Sequence, residues 1–348
     1  MSGGITQLVA IGAQDAHLVG DPQVSFFHSN YKRHTNFSHT LDKQVLQGNP
    51  SENNISTVRF ERKGDLLAYV YFTAHTDSGA SELTSDHWRS AIKEVELRIG
   101  GQVIDTQDSL FSENLAVDLL AQNVSRSALG SLHNGQGTSS YFYPLRFSFF
   151  ENWQSALPLI ALQFHDIEIR ITWGSLASSY NFTCMAGYIH LDTDERSLFS
   201  TKPISLLMYQ VQKQMGSGTK VQDIVFNHPV KFIAASNVAA DNFFSKTNKV
   251  KIQINGTDIS DYKFIIPNFT QASCYYHCPY AFGNTDDFFL QPFCLDTSKL
   301  QPTGSLNFSR LDSARIMSES STINTTFYAV NYNILQIQNG MGGLLYAN

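Results

Sequence analysis

Alternation with a period of two residues recurs along this chain. Val95, Leu97 and Ile99 alternate with Glu94, Glu96 and Arg98, the pattern of a strand with one face on a core and the other in water. Val250, Ile252 and Ile254 alternate in the same way and run into Asn255-Gly256, a pair that favours a tight hairpin turn. Ile167, Ile169 and Ile171 make a third such strand. Just before it, Ile160, Leu162 and Phe164 alternate in the opposite phase, so the slip at His165-Asp166 predicts a β-bulge or a sharp bend. Helical spacing is rare. Leu115, Leu119, Leu120 and Val124 predict one short helix over residues 112–124, packed on a sheet. Short strands separated by Gly-, Asn- and Ser-rich turns, with little helix, predict an all-β chain of sandwiches or barrels.

Two of these strands are related. KEVELRIGGQVID (residues 93–105) resembles NKVKIQINGTDIS (residues 248–260), and at one constant offset Val95 matches Val250, Leu97 Ile252, Ile99 Ile254, Gly101 Gly256 and Ile104 Ile259. At a second, shorter offset Leu162 matches Leu306, Phe164 matches Phe308 and Ile167 matches Leu311. Two matches in the same order predict two copies of one β-domain in tandem. The shorter second offset puts longer loops in the first copy. The polar stretch LDTDERSLFSTKP (residues 191–203) is the expected boundary, and each copy is of a size for one eight-stranded sandwich.

Composition adds a surface argument. Of 348 residues only 16% are charged, and 42% are hydrophobic. Soluble domains average about 25% charged, so much of this surface is neutral, as suits a subunit whose sides are covered by neighbours. The 25 Phe and 15 Tyr lean towards strands. A formal net charge of -6 with no long basic run argues against direct nucleic-acid binding, with Lys32-Arg33-His34 the one local basic patch singled out. No apolar run has the length of a membrane span. The opening MSGGITQLVAIGAQDAH has neither a signal-peptide pattern nor, starting Met-Ser, a myristoylation pattern, so synthesis and folding in the cytosol are expected.

Candidate chemistry is sparse. The four cysteines, Cys184, Cys274, Cys278 and Cys294, make no disulfide framework. Cys274-x-x-x-Cys278 with His277 between them has a faint metal spacing without a second ligand pair, so buried free thiols are the better reading and no metal is expected. There is no G-x-S-x-G elbow, P-loop or H-E-x-x-H helix, and no cofactor is implied. Asp192, Asp194 and Glu195 lack EF-hand spacing and read as a solvated acidic linker. Asp166 and Glu168, on one face of one strand, are the only carboxylate pair that a hydrolase or cupin-like reading could use. Gly340-Met341-Gly342-Gly343 follows a strand too near Asn348 to open a nucleotide-binding helix, so it reads as a tight turn or close backbone contact. Asn-x-Ser/Thr sequons begin at Asn36, Asn54, Asn123, Asn181, Asn255, Asn268, Asn307 and Asn324; turn composition explains them, with Asn54, Asn123, Asn181 and Asn255 kept as candidate glycan sites.

The opening GGITQLVAIGAQDAHLVGDPQVSFFHSNYKRHTNFS closely resembles the N-terminus of major capsid proteins of nucleocytoplasmic large DNA viruses, of the kind that infect algae and protists. ALPLIALQFHDIEIRI (156–171), YIHLDTDER (188–196), FNHPVKF (226–232), QPTGSLNFSRLDSARI (301–316) and NILQIQNGMGGLLYAN (333–348) resemble the same family, in family order from end to end. The resemblance implies two tandem eight-stranded antiparallel jelly-roll sandwiches with few short helices. Its domains would be an N-terminal arm at the capsid base (residues 1–24), jelly-roll 1 (25–195), a linker (196–204) and jelly-roll 2 (205–348). It implies a virion protein, assembled in the host cytoplasm, whose copies close into pseudo-hexagonal homotrimers tiling an icosahedral shell. Partners would be neighbouring capsomers, minor capsid and penton proteins and an internal membrane surface, with Lys32, Arg33 and His34 facing the inner shell. Helix 112–124 and the neutral loops are expected to meet neighbouring subunits. The chain is short for the family, which trims surface loops and keeps a minor or paralogous capsid protein as the alternative. A lectin-like tandem jelly-roll is the binding-module alternative.

Overall fold

A computed structural model describes residues 3–126, 139–237, 241–281 and 288–346. The chain divides into two units, Met1–Asn36 and Phe37–Asn348. The first holds helix Gly3–Val9, the short turns Ala13–Asp15 and Ala16–Val19, and an irregular tail, with none of its described residues buried. It runs beyond residue 24, since the first strand begins only at Phe37.

The second unit contains two sandwiches of antiparallel sheets. In the first, one sheet runs Phe37–Gln44, Asn181–Leu191, Leu66–Thr76, Phe142–Pro144 and the other Ile55–Arg59, Ile167–Trp173, Ile92–Ile99, Gln102–Asp108. In the second, the sheets run Ile204–Gln214, Phe327–Gln338, Pro229–Ser236, Phe288–Pro292 and Val221–Asp223, Ala314–Ser318, Lys249–Ile254, Thr257–Asp258. Counting the main strands of each half in chain order gives the same arrangement twice, 1-8-3-6 facing 2-7-4-5, which is the jelly roll. The internal repeat is therefore structural. Val95, Leu97 and Ile99 lie in the fourth strand of the first half, and Val250, Ile252 and Ile254 in the fourth strand of the second.

The same turn closes the fourth and fifth strands in both halves. Gly100 and Gly101 have φ of 56° and 84°, and Asn255 and Gly256 have φ of 49° and 77°. Two successive left-handed residues match the twist of a hairpin. A Cβ at Gly101 or Gly256 would meet no atom within 4 Å, so a side chain there is opposed by backbone conformation alone. Gly101→Ala and Gly256→Ala should each cost about 1–2 kcal/mol, whereas a Cβ at Gly100 would strike the His165 ring at 2.5 Å and cost more. Urea midpoints of the three variants check this order.

Three readings of the chain need correction here. Residues 160–164 form turns and no strand: Leu162 is buried and Phe164 exposed, and the bend before Ile167 is held where Arg62 donates to the carbonyls of Leu162 (2.7 Å) and Gln163 (2.6 Å). The second repeat match falls in the right connection but in the wrong register. Leu157–Pro158 pairs with the third strand of its half as Leu306–Asn307 does in the other, so Leu157, not Leu162, stands where Leu306 stands. The stretch expected as a linker is mostly an α-helix, Thr193–Thr201, whose N-cap Asp192 accepts from Thr193 N (2.7 Å). Asp194 and Glu195 sit in its first turn, where negative charge offsets the helix dipole.

Candidate functional site: the seam between the sandwiches

The first core gathers Trp88, Trp173, Phe182 and the inward faces of both sheets, with Trp173 Nε1 donating to Ser56 Oγ at 2.7 Å. The second is built from phenylalanines, including Phe243, Phe289 and Phe327. The sandwiches are fused by further packing that neither core accounts for. After Asp108 the chain forms a one-turn π-helix, Phe111–Leu115, continued by the α-turn Ala116–Leu119. Phe111, Leu115, Ala116 and Leu119 are fully buried against Phe232, Ala234, Leu290, Tyr328 and Val330. Those five residues lie on the face of the second half's 1-8-3-6 sheet that points away from its own core, since Ile233, Ala235, Phe289 and Ala329 alternate with them into that core. The helix expected over 112–124 is thus shorter and lies inside the subunit, which removes it as a contact with neighbouring subunits.

Polar groups are buried along the same seam. Asp105 accepts from the Val211 amide (2.9 Å) and from Gln107 Nε2 (2.8 Å), and burial pushes its carboxyl up to about 7. Gln210 Nε2 donates to the Ile104 carbonyl (2.5 Å), and Tyr209 Oη donates to the Arg146 carbonyl (3.2 Å). Burial raises Glu113 to about 8, against the pull of Arg146 and Arg89. Arg126 and Arg146 pair with the buried Glu151 at 2.8 Å and 3.6 Å. At the other end of the seam the hairpin through Asn339 and Gly340, with φ of 55° and 76°, lies against the first sandwich. Phe164 N donates to Gly340 O (2.9 Å), and a Cβ on Gly342 would come within 2.6 Å of Leu162 Cδ2. The glycine run is therefore a tight turn and a close backbone contact at once.

The other singled-out residues are dispersed. Lys32, Arg33 and His34 are exposed in the N-terminal unit, with His34 Nδ1 at 2.8 Å from Thr35 O. Asn54, Asn123, Asn181 and Asn255 are exposed. Asn54 Nδ2 donates to Asn49 O (2.9 Å), and Asn255 Oδ1 accepts from the amides of Asp312 and Ser313 (2.9 and 3.2 Å). Asp166 pairs with Arg59 and, at 3.9 Å, with Arg62, so it is a surface ion-pair partner rather than half of a carboxylate pair with Glu168. All four cysteines are buried and free; Cys278 Sγ accepts from Thr297 Oγ1 at 3.3 Å. Among the described residues no group of three His, Cys, Asp or Glu side chains could hold a metal ion. Near these thiols Lys231 donates to Lys299 O (2.7 Å), and burial lowers its ammonium to about 8.

A family model described as the major capsid protein N-terminus matches residues 25–204. Over the full length of both chains the sequence is 32% identical to a major capsid protein of Pyramimonas orientalis virus and 30% identical to one of Paramecium bursaria Chlorella virus 1. The second alignment runs over 450 positions against 348 residues here, so the relative carries insertions that this chain lacks. Among solved structures the fold matches PBCV-1 VP54 with a TM-score of 0.78 at 24% identity, covering 93% of this chain and 100% of that one. It matches the Faustovirus major capsid protein with a TM-score of 0.65 at 11% identity, covering 94% of each chain.

Proposed function

This chain belongs to the major capsid protein family of nucleocytoplasmic large DNA viruses, structural proteins of the virion rather than enzymes, and on that premise we propose that three copies close into a pseudo-hexagonal capsomer that tiles the shell. The observation that carries the proposal is the fused pair of sandwiches. Each half repeats the same strand order, and the buried seam holds the two as one block. A block with two similar sides, repeated about a three-fold axis, has six similar sides. Closed cyclic symmetry of this kind is the common route to a finite oligomer.

Further readings follow from the same premise. The N-terminal unit, with Lys32, Arg33 and His34, would face the inner shell, where minor capsid or penton proteins and an internal membrane lie. Its exposed Phe26 and Phe27 give it apolar surface for such a partner. Assembly would take place in the host cytoplasm. Glycans, if carried, would sit on Asn54, Asn123, Asn181 or Asn255, and intact-mass measurement of virion-derived protein reads them directly.

Light scattering tests the central reading. The chain has a mass of 38.9 kDa, so a trimer should appear near ~117 kDa by three-fold closure and persist on dilution. A species that stays at the monomer mass at every concentration overturns it.

A further inference from the structure

Each half turns one face of its 2-7-4-5 sheet to its core and the other to water. In the second half the wet face lies on the far side of the core from the seam. The repeat lets the two wet faces be compared position by position. On the fourth strand Val95, Leu97 and Ile99 stand where Val250, Ile252 and Ile254 stand, so Glu94 and Glu96, which alternate with them, correspond to Lys249 and Lys251. Across to the seventh strand, Arg98 pairs with Glu168 and Gln253 with Arg315, so Glu168 corresponds to Arg315. One strand further, Glu168 pairs with Arg59 and Arg315 with Asp223, so Arg59 corresponds to Asp223. Two backbone hydrogen bonds hold the same register: Gly100 N donates to Asp166 O as Asn255 N does to Ser313 O, and Phe60 N to Ile167 O as Ile224 N does to Ala314 O.

On these three strands both halves carry a charge at four outward positions, and at all four the sign is reversed: Glu94 against Lys249, Glu96 against Lys251, Glu168 against Arg315, and Arg59 against Asp223. All eight side chains are exposed or half-buried. The other outward charges of the same strands, Arg98, Arg170 and Glu319, correspond to the uncharged Gln253, Met317 and Thr172. No position therefore carries the same sign twice. Ion pairs within each face hold the pattern in place: Glu96 lies 3.1 Å from Arg98 and 3.8 Å from Arg170, and Asp223 lies 2.6 Å from Arg315 and Glu319 3.2 Å from Lys249.

We infer that these reversed signs fix the orientation in which capsomers pack, by admitting the first half of one capsomer against the second half of its neighbour and refusing like against like. The occupant of each face is a second copy of this chain, selected by charge complementarity. Two equivalent faces that meet about a two-fold parallel to their strands keep each position level with its equivalent. Unlike halves then set Glu94 and Glu96 level with Lys249 and Lys251, and Glu168 level with Arg315; like halves set Glu against Glu and Lys against Lys. Each exposed pair attracts only weakly, so the discrimination comes chiefly from the repulsion in the wrong arrangement. The inference rests on the trimer reading. In a capsomer whose six sides alternate between the two halves, opposite sides are always unlike. Neighbours laid in one orientation meet first half to second half, and neighbours turned by a sixth of a turn meet like to like. The signs select the first arrangement.

Four full-length chains test it by light scattering at low ionic strength: the wild type, Glu94→Lys/Glu96→Lys, Lys249→Glu/Lys251→Glu, and all four changes together, which swap the two pairs and leave the net charge unchanged. All four should form trimers. The concentration at which trimers join into larger assemblies should rise at least about tenfold in each two-residue variant and return to the wild-type value in the swapped chain, a rescue that neither misfolding nor overall charge produces. The differences should shrink as salt approaches about 1 M. A carbodiimide, which couples a carboxylate directly to an amine, should join a peptide holding Glu94 or Glu96 to one holding Lys249 or Lys251 in wild-type species larger than the trimer. Two-residue variants that assemble like the wild type, a swapped chain as impaired as its parents, assemblies without the coupled peptide, or wild-type trimers that never associate overturn the inference and leave the trimer standing. A wild type that stays monomeric overturns both.

Discussion

Replacing Phe111 with alanine should destabilise the isolated subunit by about 3–5 kcal/mol. The ring is fully buried, lies 5.6 Å from that of Tyr328, and belongs to the cluster that contains Phe232. Its loss opens a cavity between two rigid sandwiches, neither of which can collapse to fill it. Phe232→Ala should cost a similar amount. The two changes empty one shared space, so the double variant should lose less than the sum. Urea unfolding of the three variants reads both points. A loss below about 1 kcal/mol from Phe111→Ala, well under the usual aromatic-to-alanine range, would mean that the seam is not what holds the halves. The same burial sets an exchange result. Amides of residues 111–119 should be protected already in the free subunit and gain little on assembly.

The strands read correctly in advance were those with one wet face. Ile92–Ile99 and Lys249–Ile254 lie in sheets that keep polar side chains in water on one side, so apolar and polar positions alternate and the repeat between them shows. Pro229–Ser236 and Phe327–Gln338 left no such trace. Both are buried on two faces, by their own core and by the seam, and PVKFIAAS and the opening FYAV of Phe327–Gln338 consequently read as short apolar runs with little alternation. Those runs were themselves the available signal that a second layer covers the sheet. The leucines at 115 and 119 announced a helix with an apolar side but not which surface receives it, and the neutral composition pointed to a neighbouring subunit where the partner is the chain's own second half. Helix Thr193–Thr201 has no buried residue and so no periodic stripe; Asp192 with two acidic residues behind it was its only mark, and a capping signal without a stripe also fits an acidic linker.

The subunit should lose seam stability as pH rises from about 4 to about 8, the reverse of ordinary carboxylate behaviour. Asp105 and Glu113 are buried where the halves meet, and desolvation raises their carboxyls to about 7 and about 8. The hydrogen bonds to Asp105, and Arg146 and Arg89 near Glu113, oppose the rise without cancelling it. In the unfolded chain both groups release their protons near pH ~4. Above that pH the folded state holds protons that the unfolded state has lost. Their contribution is therefore complete below about pH 4 and is lost as pH climbs through 7 for Asp105 and 8 for Glu113, by about 1.4 kcal/mol per pH unit for each group. Asp105→Asn isolates one of the two. Its amide nitrogen would face Gln107 Nε2 and carry a constant penalty, so the slope is the readout, not the offset. Unfolding free energies of wild type and Asp105→Asn, taken at one protein concentration between pH 4.5 and 8.5, should draw steadily together or cross in favour of the variant up to about pH 7 and then run parallel. Two curves that stay parallel from pH 4.5 upward would mean that Asp105 is ionised in the folded subunit, and that the seam between the sandwiches is wetter than its packing implies.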